Sequence, residues 1–322
     1  MDNPVFEFLE RHSSLVITTH DNADADGLGA EMVFYQIARS LGKEIRIINP
    51  GPVPEKFRFM DKENIIGTLE NTAFPQGAAL VILDTADEYN IGGLKECIPK
   101  ADEVFVIDHH EPGKFGALKG FIDSSASSAS ELCVELALAA KTDLNAETAA
   151  AAYAGIVYDT GFFAYPKTTI RTFRAALVLV EAGVNPNNVY RELNENASVG
   201  ALTLQKTVLS TLEFYSQGRV AVQRLRKEDL EACGARYEDA ENFINIPMKC
   251  KEIEVSIFIK ESKEGNIRCS FRSKGRVNVA KLAQSLGGGG HVCAAGFKSS
   301  FSVEETMKMV LEKVAKDLEK HE

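Results

Sequence analysis

Aspartates and histidines follow several apolar segments of this 322-residue chain, at points where strands would end. They are His20, Asp24 and Asp26 after SSLVITT, Asp84 at the end of AALVILD, Asp108, His109 and His110 at the end of VFVIDHH, and Asp159 in GIVYDTG. In open α/β folds the carboxyl ends of the strands share one edge, where ligand sites form. Four or more carboxylates cannot converge there as anions without cations that compensate their charge. The pattern therefore predicts a metal site that holds two ions.

The residue types in the first group suit a divalent cation. His20, Asp24 and Asp26 lie within seven residues, and carboxylate oxygens with an imidazole are suitable ligands for Mn²⁺ or Mg²⁺. A solvated acidic loop that caps the next helix is the alternative, because aspartate is favourable near a helix N-terminus. Asp84 and Asp108, taken singly, are also typical of caps or turns. Three strands that all end in Asp or His favour the metal site, and four of the six histidines lie in these motifs or in the glycine motif described below.

The elements that would position these residues alternate between strands and helices over roughly the first 185 residues. SSLVITTH, EIRIINP, AALVILD and VFVIDHH are continuous apolar runs, typical of parallel strands covered on both faces. GLGAEMVFYQIARSLGK, AETAAAAYAGIVYDTG and TTIRTFRAALVLVEAG are predicted helices, and the second delivers Asp159 at its end. The Ser-rich stretch 124–130 is compatible with a linker, but its direct passage into an apolar helix favours a helix start with hydroxyl caps.

The pattern changes in the second half of the chain. A polar helical segment follows Pro186, and then RVAVQRL, EVSIFIKES and NIRCSFRS are predicted strands at shorter spacing, followed by a final amphipathic helix. We expect an α/β fold with two domains joined by a helical linker. The N-terminal domain, 1–187, would have a parallel sheet with helices on both faces, the linker would span 188–215, and the smaller C-terminal α/β domain, 216–322, would have a mixed sheet.

A second motif of chemical interest lies in the C-terminal part. Gly287–Gly290 precede His291, and consecutive glycines let backbone N–H groups approach an anion without obstruction. In NIRCSFRS, strand alternation places Arg268, Ser270 and Arg272 on one face, which suits phosphate recognition. A flexible glycine loop and a solvent-exposed polar strand face are the alternatives for these two features.

Composition limits the kind of partner. The net charge of −10 argues against long duplexes bound through a general basic surface, but not against a small anion bound through metal ions and a local basic patch. No apolar run is long enough to span a bilayer, and the acidic N-terminus lacks the form of a signal peptide, so we expect a cytoplasmic protein that does not bind membranes. The six cysteines contain no C-x-x-C pair, so neither a zinc site nor a disulfide framework is expected.

Together these motifs resemble those of the DHH phosphoesterase superfamily, which is named for a triplet such as Asp108-His109-His110. The HxxxDxDG segment from His20, the strand-end Asp84, the DHH triplet and the DTG around Asp159 stand in the family's order. FRS followed by VNVAKLAQSLGGGGHVCAAGF resembles the DHH-associated C-terminal domain, so the resemblance covers nearly the whole chain. The two-domain size and the GGGGHxxAAG ending are most similar to the bifunctional nanoRNase (oligoribonuclease) and 3′-phosphoadenosine-5′-phosphate phosphatase group.

The resemblance implies a set of site residues. One Mn²⁺ would be held by His20, Asp24 and Asp84, and a second by Asp26, Asp84, His109 and Asp159, with Asp84 bridging. Asp108 would orient the histidine pair and His110 would face the scissile phosphate, so that the expected catalytic residues are Asp84, Asp108 and His110. The substrate's other phosphate or terminal nucleotide would be bound by Arg268, Arg272, Ser273, Gly289, Gly290 and His291. Mg²⁺ and Co²⁺ are alternative metals.

The resemblance also implies an activity. We expect hydrolysis of very short oligoribonucleotides to mononucleotides, and of 3′-phosphoadenosine 5′-phosphate (pAp) to AMP, by two-metal activation of a bridging water. Hydrolysis of linear dinucleotides of cyclic-dinucleotide signalling (pGpG or pApA) and a RecJ-like single-strand exonuclease are alternative activities. A metal-dependent module that binds nucleotides without turnover is the alternative outside the enzymes. A homodimer is compatible with the family.

Overall fold

The computed structural model describes residues 3–110, 118–262 and 264–319. The chain forms two compact units, one ending at Asn196 and the other beginning at Ala197. The domain limits and the helical linker expected from the sequence stay a prediction. Within the described ranges no helix combines the length and the apolar character needed to cross a membrane.

The N-terminal unit contains a six-stranded parallel sheet. Its strands are β1 (Ser14–Thr18), β2 (Glu44–Asn49), β3 (Ile66–Thr68), β4 (Ala79–Leu83), β5 (Val104–Asp108) and β6 (Gly120–Ile122). Their order across the sheet is β3-β2-β1-β4-β5-β6, and every neighbouring pair is parallel. All five residues of β4 are buried, as expected of a central strand that is covered on both faces. The predicted α/β class with a parallel N-terminal sheet is confirmed.

Helices cover this sheet. They are α1 (Pro4–Arg11), α2 (Ala25–Ser40), α3 (Ala129–Ala140), α4 (Ala146–Asp159), α5 (Ile170–Glu181) and α6 (Pro186–Asn194). One face of the sheet shares a large apolar core with α2, α3 and α4, and the other face packs against the 3-10 helical segment Glu88–Lys100. Ser128 caps α3 by accepting the N–H of Glu131 at 3.0 Å. The Ser-rich stretch therefore starts a helix, as expected.

The C-terminal unit contains the expected mixed sheet, with the order β11-β12-β10-β9-β8-β7. Its elements are α7 (Val199–Ser210), β7 (Glu213–Tyr215), β8 (Val220–Leu225), α8 (Lys227–Cys233), β9 (Val255–Glu261), β10 (Ile267–Ser273), α9 (Val279–Gln284), β11 (Gly289–His291), β12 (Ala294–Ser299) and α10 (Val303–Glu319). Among the described strands of this second sheet, only the pair β8–β9 is parallel. Cys269 and Phe271 of β10 face a core shared with Val310 of α10, so the even-numbered residues of β10 lie on the opposite, outer face.

The glycine motif forms an edge strand. β11 pairs with β12 in antiparallel register, with Gly289 opposite Gly296. A Cβ added to Gly288 would lie 2.2 Å from the carbonyl oxygen of Gly296, and one on Gly290 would lie 2.5 Å from that of Ala294. A Cβ on Gly289 would meet nothing within 4 Å. Gly288 and Gly290 therefore allow two strands to approach closely, and Gly289 is free of this constraint.

Candidate metal centre

The strand order brings the candidate ligands of the N-terminal unit to one edge of its sheet. The chain reverses its direction of winding at β1, which lies between β2 and β4. β1 leads to His20, β4 leads to Asp84, and β5 ends at Asp108. A ligand crevice forms at such a switch point in open α/β sheets. The convergence expected from the sequence is therefore present.

Asp84 lies between two histidines. Its Oδ2 is 3.5 Å from Nε2 of His20, and its Oδ1 is 3.3 Å from Nε2 of His109. Oδ1 of Asp24 lies 3.7 Å from the same nitrogen of His20. All three distances exceed an ordinary hydrogen bond to nitrogen. The first group of candidate ligands, His20, Asp24 and Asp84, thus surrounds a small space.

A second group surrounds His109. Oδ2 of Asp159 lies 3.3 Å from Nε2 of His109, and Oδ2 of Asp26 lies 3.6 Å from it. Candidate ligand atoms within each group all lie within 4.8 Å of one another, and a third such group joins Asp84, His109 and His110. The structure therefore brings together all six residues expected as metal ligands.

Several buried atoms of this cluster have no hydrogen-bond partner. They are Oδ1 of Asp84 and both ring nitrogens of His109. A buried polar atom without a partner is costly, and a buried carboxylate more so. A divalent cation between the carboxylates and the imidazole would satisfy these atoms, and nitrogen–oxygen donor sets suit Mn²⁺. The residues present therefore fit the metal that the resemblance implies.

The crowded charges shift the pKa values of the aspartates. Burial, followed by the charges of Asp84 and Asp159, raises the pKa of Asp26 well above its usual range. Burial and the charge of Asp84 raise the pKa of Asp159 to about 6. Burial alone would raise the pKa of Asp84, but its interactions with His109 and His20 outweigh burial and lower it to about 2. Repulsion among these carboxylates is the physical sign of a site for cations.

The histidines respond in the opposite direction. Burial alone would lower the pKa of His20, but Asp24 and Asp84 outweigh it and raise the pKa to about 11. The pKa of His109 is raised to about 9 in the same way, against burial, by Asp84 and Asp26. Without metal, protonated imidazoles therefore supply the positive charge that the aspartates require.

Asp24 and Asp84 are held by local backbone geometry. Asp24 caps α2, and its Oδ1 accepts the N–H groups of Asp26 at 2.9 Å and Gly27 at 3.2 Å. The capping alternative is thus realised at Asp24, whose same oxygen faces His20. Asp84 has a φ of 62°, in the left-handed region that few residues other than glycine adopt. The turn after β4 therefore aims its carboxylate at both histidines.

The N-terminus of α3 holds Asp26. Oδ2 of Asp26 accepts the N–H of Ala129 at 2.6 Å, and Oδ1 accepts that of Ser130 at 2.8 Å. The side chain is fully buried. Free N–H groups and the positive end of the helix dipole favour a carboxylate at this position. Asp26 is therefore fixed by an element that lies about a hundred residues further along the chain.

Arg171 stabilises the start of α3 and was not expected from the sequence to do so. Its guanidinium forms two hydrogen bonds with Glu135, at 2.5 and 2.6 Å, and one with Asp123 at 2.6 Å. Its Nε also lies 3.3 Å from Oε1 of the fully buried Glu131, which accepts the hydroxyl of Ser127 at its other oxygen. No sequence pattern marks one arginine as the partner of three acids on other segments.

Asn49 and Glu31 support the segment that precedes His20. Asn49 ends β2, its Nδ2 donates to Oε2 of Glu31 at 3.0 Å, and its Oδ1 accepts the N–H of Thr19 at 3.4 Å. Burial raises the pKa of Glu31 to about 8, although the bond from Asn49 opposes this shift. Neither residue was expected from the sequence. Asn49 could have been identified by the same pattern as Asp84, because each is a polar residue at the end of an apolar strand.

Asp108 forms hydrogen bonds with the neighbouring residues His109 and His110. It differs in this from Asp84, which lies between His20 and His109. Oδ1 of Asp108 accepts the N–H of His109 at 2.8 Å and lies 2.8 Å from Nδ1 of His110. The hydrogen bond to Asp108 is the main cause that raises the pKa of His110. The ring of His110 is 58% exposed, and its Nδ1–H can donate to Asp108, which leaves Nε2 directed elsewhere.

The candidate substrate-binding residues lie in the C-terminal unit. Arg268 is exposed and Arg272 half-buried on the outer face of β10, and neither forms an ion pair within the described ranges. Ser273 is buried, and its hydroxyl donates to the carbonyl of Val277 at 2.8 Å, so it stabilises the following turn. Gly289 and Gly290 lie in β11, where His291 is opposite Ala294. The role expected of the His291 side chain lies outside what the structure describes.

Both units of this chain are similar in sequence to domains of known proteins. Residues 14–156 match the DHH family, N-terminal domain, and residues 217–320 match the DHHA1 domain. The chain is 31% identical over 307 residues to the bifunctional oligoribonuclease and PAP phosphatase NrnA of Thermus thermophilus, covering 94% of this chain and 90% of that protein. It is 28% identical over 325 residues to the Bacillus subtilis protein of the same name, covering 99% and 100%.

A solved structure shares the whole fold. The crystal structure of an exopolyphosphatase-related protein from Bacteroides fragilis matches with a TM-score of 0.88 and 26% identity, over 97% of this chain and 94% of that one. Together with a relative above 30% identity over nearly the full length, this similarity establishes the family. The chain belongs to the DHH family and is a phosphoesterase.

Proposed function

We propose that this protein hydrolyses very short oligoribonucleotides to mononucleotides and converts pAp to AMP. The observation that carries the proposal is the position of Asp84, whose two oxygens face His20 and His109 on opposite sides. Such an arrangement suits a pair of divalent cations that share one carboxylate. Relatives of similar length are named for both activities, which supports this choice of substrates.

The two groups of ligands would each hold one ion, and we propose Mn²⁺, with Mg²⁺ and Co²⁺ as alternatives. His20, Asp24 and Asp84 would hold the first; Asp26, Asp84, His109 and Asp159 would hold the second. When bound, such ions lower the pKa of water and neutralise phosphate oxygens. The chain contributes rigid placement, because two amides of α3 fix Asp26 and the turn after β4 fixes Asp84.

His110 is the proposed proton donor to the leaving alcohol. Its ring is exposed, and Asp108 orients it from the Nδ1 side. The bond to Asp108 is the main cause that raises the pKa of His110, and this favours the protonated ring that a proton donor requires. In the C-terminal unit, Arg272 has no acidic partner among the described residues and would bind another phosphate of the substrate.

A substrate panel tests the proposal. With Mn²⁺, the protein should hydrolyse a generic dinucleotide and pAp, and parallel rates on pGpG, pApA and a long single strand would measure preference for the alternative substrates. Intact dinucleotide and intact pAp, with a melting temperature that Mn²⁺ still raises, would overturn it. Nucleotide binding without product in Mn²⁺, Mg²⁺ or Co²⁺ would instead identify a binding module.

We also propose that a second copy of the chain covers the outer face of α5. Ile170, Phe173, Leu177 and Val180 follow the 3-4-3 spacing of a helix–helix seam and are 72%, 54%, 57% and 41% exposed. Arg174 and Glu181 lie beside this stripe, exposed and without an ion pair among the described residues.

Self-complementarity favours a second copy as the occupant of this face. A two-fold axis beside Leu177 would place antiparallel helices in contact, as an isologous interface requires. Arg174 of each helix would then lie near Glu181 of the other. The same two-fold axis therefore brings the apolar stripes of the two helices together and pairs their opposite charges.

A further inference from the structure

We propose that the outer face of the second sheet holds a distal phosphate subsite, formed by Arg268, Lys298 and Lys260. The subsite would bind a backbone phosphate of substrates longer than a dinucleotide. This inference rests on the proposed function, since it concerns the length of the same substrates. Of the three residues, only Arg268 was expected from the sequence to bind substrate.

The strand register places the three cations in one row. Arg268 of β10 lies opposite Lys260 of β9 on one side and opposite Lys298 of β12 on the other. Residues directly opposite in antiparallel strands share a face, and side chains there lie close enough to interact. The row therefore crosses three neighbouring strands on the outer face, the same face that carries Arg272.

Such a row is unfavourable without an anion. Like charges directly opposite one another destabilise a strand pair. Within the described ranges none of the three side chains forms an ion pair, and Arg268 and Lys298 are exposed. Lys260 is only 6% exposed, and its Nζ lies 4.5 Å from the centre of the Tyr237 ring. The charges of Glu241 and Glu238 act on Lys260, so a phosphate would supply negative charge mainly to the exposed Arg268 and Lys298.

Between this row and Arg272, the surface on the β12 and β11 side consists of small residues, whereas Phe258 of β9, opposite Ser270, is buried in a separate core. Ser270 lies opposite Gly296, which in turn lies opposite Gly289. Gly289 is exposed, and a Cβ there would meet no protein atom within 4 Å. The glycine at this position is therefore not required by packing, unlike Gly288 and Gly290. An open backbone surface here leaves room for the sugar or base between two bound phosphates.

The spacing sets the length of substrate that would reach the subsite. Arg268 and Arg272 are four residues apart on one strand, which corresponds to roughly 13 Å. A phosphate bound at each end therefore requires a chain with more than one nucleotide unit between them. A dinucleotide or pAp bound at Arg272 would not extend to the row. The subsite would thus favour longer members of the substrate class.

The test removes the exposed charge of Lys298, which has no other assigned role, and varies substrate length. In the Lys298→Gln variant, KM for a pentaribonucleotide should rise roughly fivefold, whereas kcat/KM for a dinucleotide and for pAp should change less than about twofold. In EDTA, binding of a fluorescein-labelled pentaribonucleotide should also lose salt dependence, by about 0.7 in the log–log slope for the lost contact.

The matched control is Lys308→Gln, which removes the same charge from α10 on the opposite face of the sheet. It should leave both readouts unchanged. Equal losses for dinucleotide and pentaribonucleotide, or no loss for either, would overturn the subsite. A protein that cleaves neither substrate would contradict the proposed function, while binding in EDTA would still decide the subsite.

Discussion

Asp108 contacts His110 at two atoms: its Oδ1 accepts the backbone N–H at 3.1 Å and lies 2.8 Å from ring Nδ1. This double contact fixes both the turn after β5 and the orientation of the ring. A carboxylate that orients an imidazole in this way also selects its tautomer. Asp108 is therefore a positioning residue for His110.

Replacing Asp108 by Asn should lower kcat on a dinucleotide by about 10- to 100-fold, because the ring of His110 loses its charged partner. The kcat–pH profile should shift as well, since the raised pKa of His110 depends first on Asp108. Mn²⁺ affinity, measured by calorimetry, should change little. Asp87→Asn, at a half-buried aspartate that caps a 3-10 helix, is the control. A fall in Mn²⁺ affinity as large as the fall in kcat would contradict a role through His110.

Asp84→Asn should abolish activity and weaken Mn²⁺ binding by at least about a hundredfold, because both proposed ion sites share this carboxylate, whose oxygens face His20 and His109. Asn is preferred to Ala in this test since it tolerates the φ of 62° at this position. The melting temperature of the variant should no longer rise with MnCl₂, whereas that of the native protein should. Two Mn²⁺ ions bound to the variant with native affinity would show that Asp84 does not bridge them.

The buried Glu31 predicts a pH dependence of stability. Its pKa is raised to about 8 from 4.5, so between these values the native state binds a proton that the unfolded state has released. The unfolding free energy of the native protein should therefore fall as pH rises through this window. Glu31→Gln cannot titrate, so it should gain stability relative to the native protein, on the order of a few kcal/mol between pH 5 and pH 9.

Urea unfolding in EDTA at pH 5, 7 and 9 measures this difference. Glu55→Gln, at an exposed glutamate, should show no such trend. A Glu31→Gln difference that stays constant with pH would mean that Glu31 is ionised in the native state.

Arg171→Met should lower the unfolding free energy by about 3 kcal/mol, because it leaves the fully buried Glu131 without its cation. Adding Glu131→Gln should recover part of the loss, since the uncompensated charge is then removed. Arg191→Met breaks an exposed pair with Glu195 and should cost less than about 1 kcal/mol. Equal losses for both arginine variants in urea unfolding would contradict the role assigned to Arg171.

Leu177→Glu should convert a dimer to a monomer, as measured by light scattering after size exclusion, because it places charge in the centre of the α5 stripe. Leu138→Glu on α3 is the control, since Leu138 is 52% exposed but lies outside that stripe. A native protein that is monomeric at micromolar concentration, or a Leu177→Glu variant that stays dimeric, would exclude this interface.

The local features of this protein were predictable from its sequence. The apolar runs that became β1, β4 and β5, the helix that delivers Asp159 and the alternation along β10 all depend on residues close in the chain. The glycine motif was predictable only in part. Two of its glycines, Gly288 and Gly290, let β11 approach β12 closely. The sequence alone could not show this, because the requirement depends on the position of the partner strand.

The sequence by itself determined which side chains could hold metal and where along the chain each would leave its strand or helix. Only the tertiary structure decided that Asp84 faces two histidines, that the amides of α3 hold Asp26 across 103 residues, and that Lys298 and Lys260 flank Arg268. The physical reason is the same in each case. Periodicity and capping act within a few residues, whereas strand order and register arise from packing between segments that are distant in the chain.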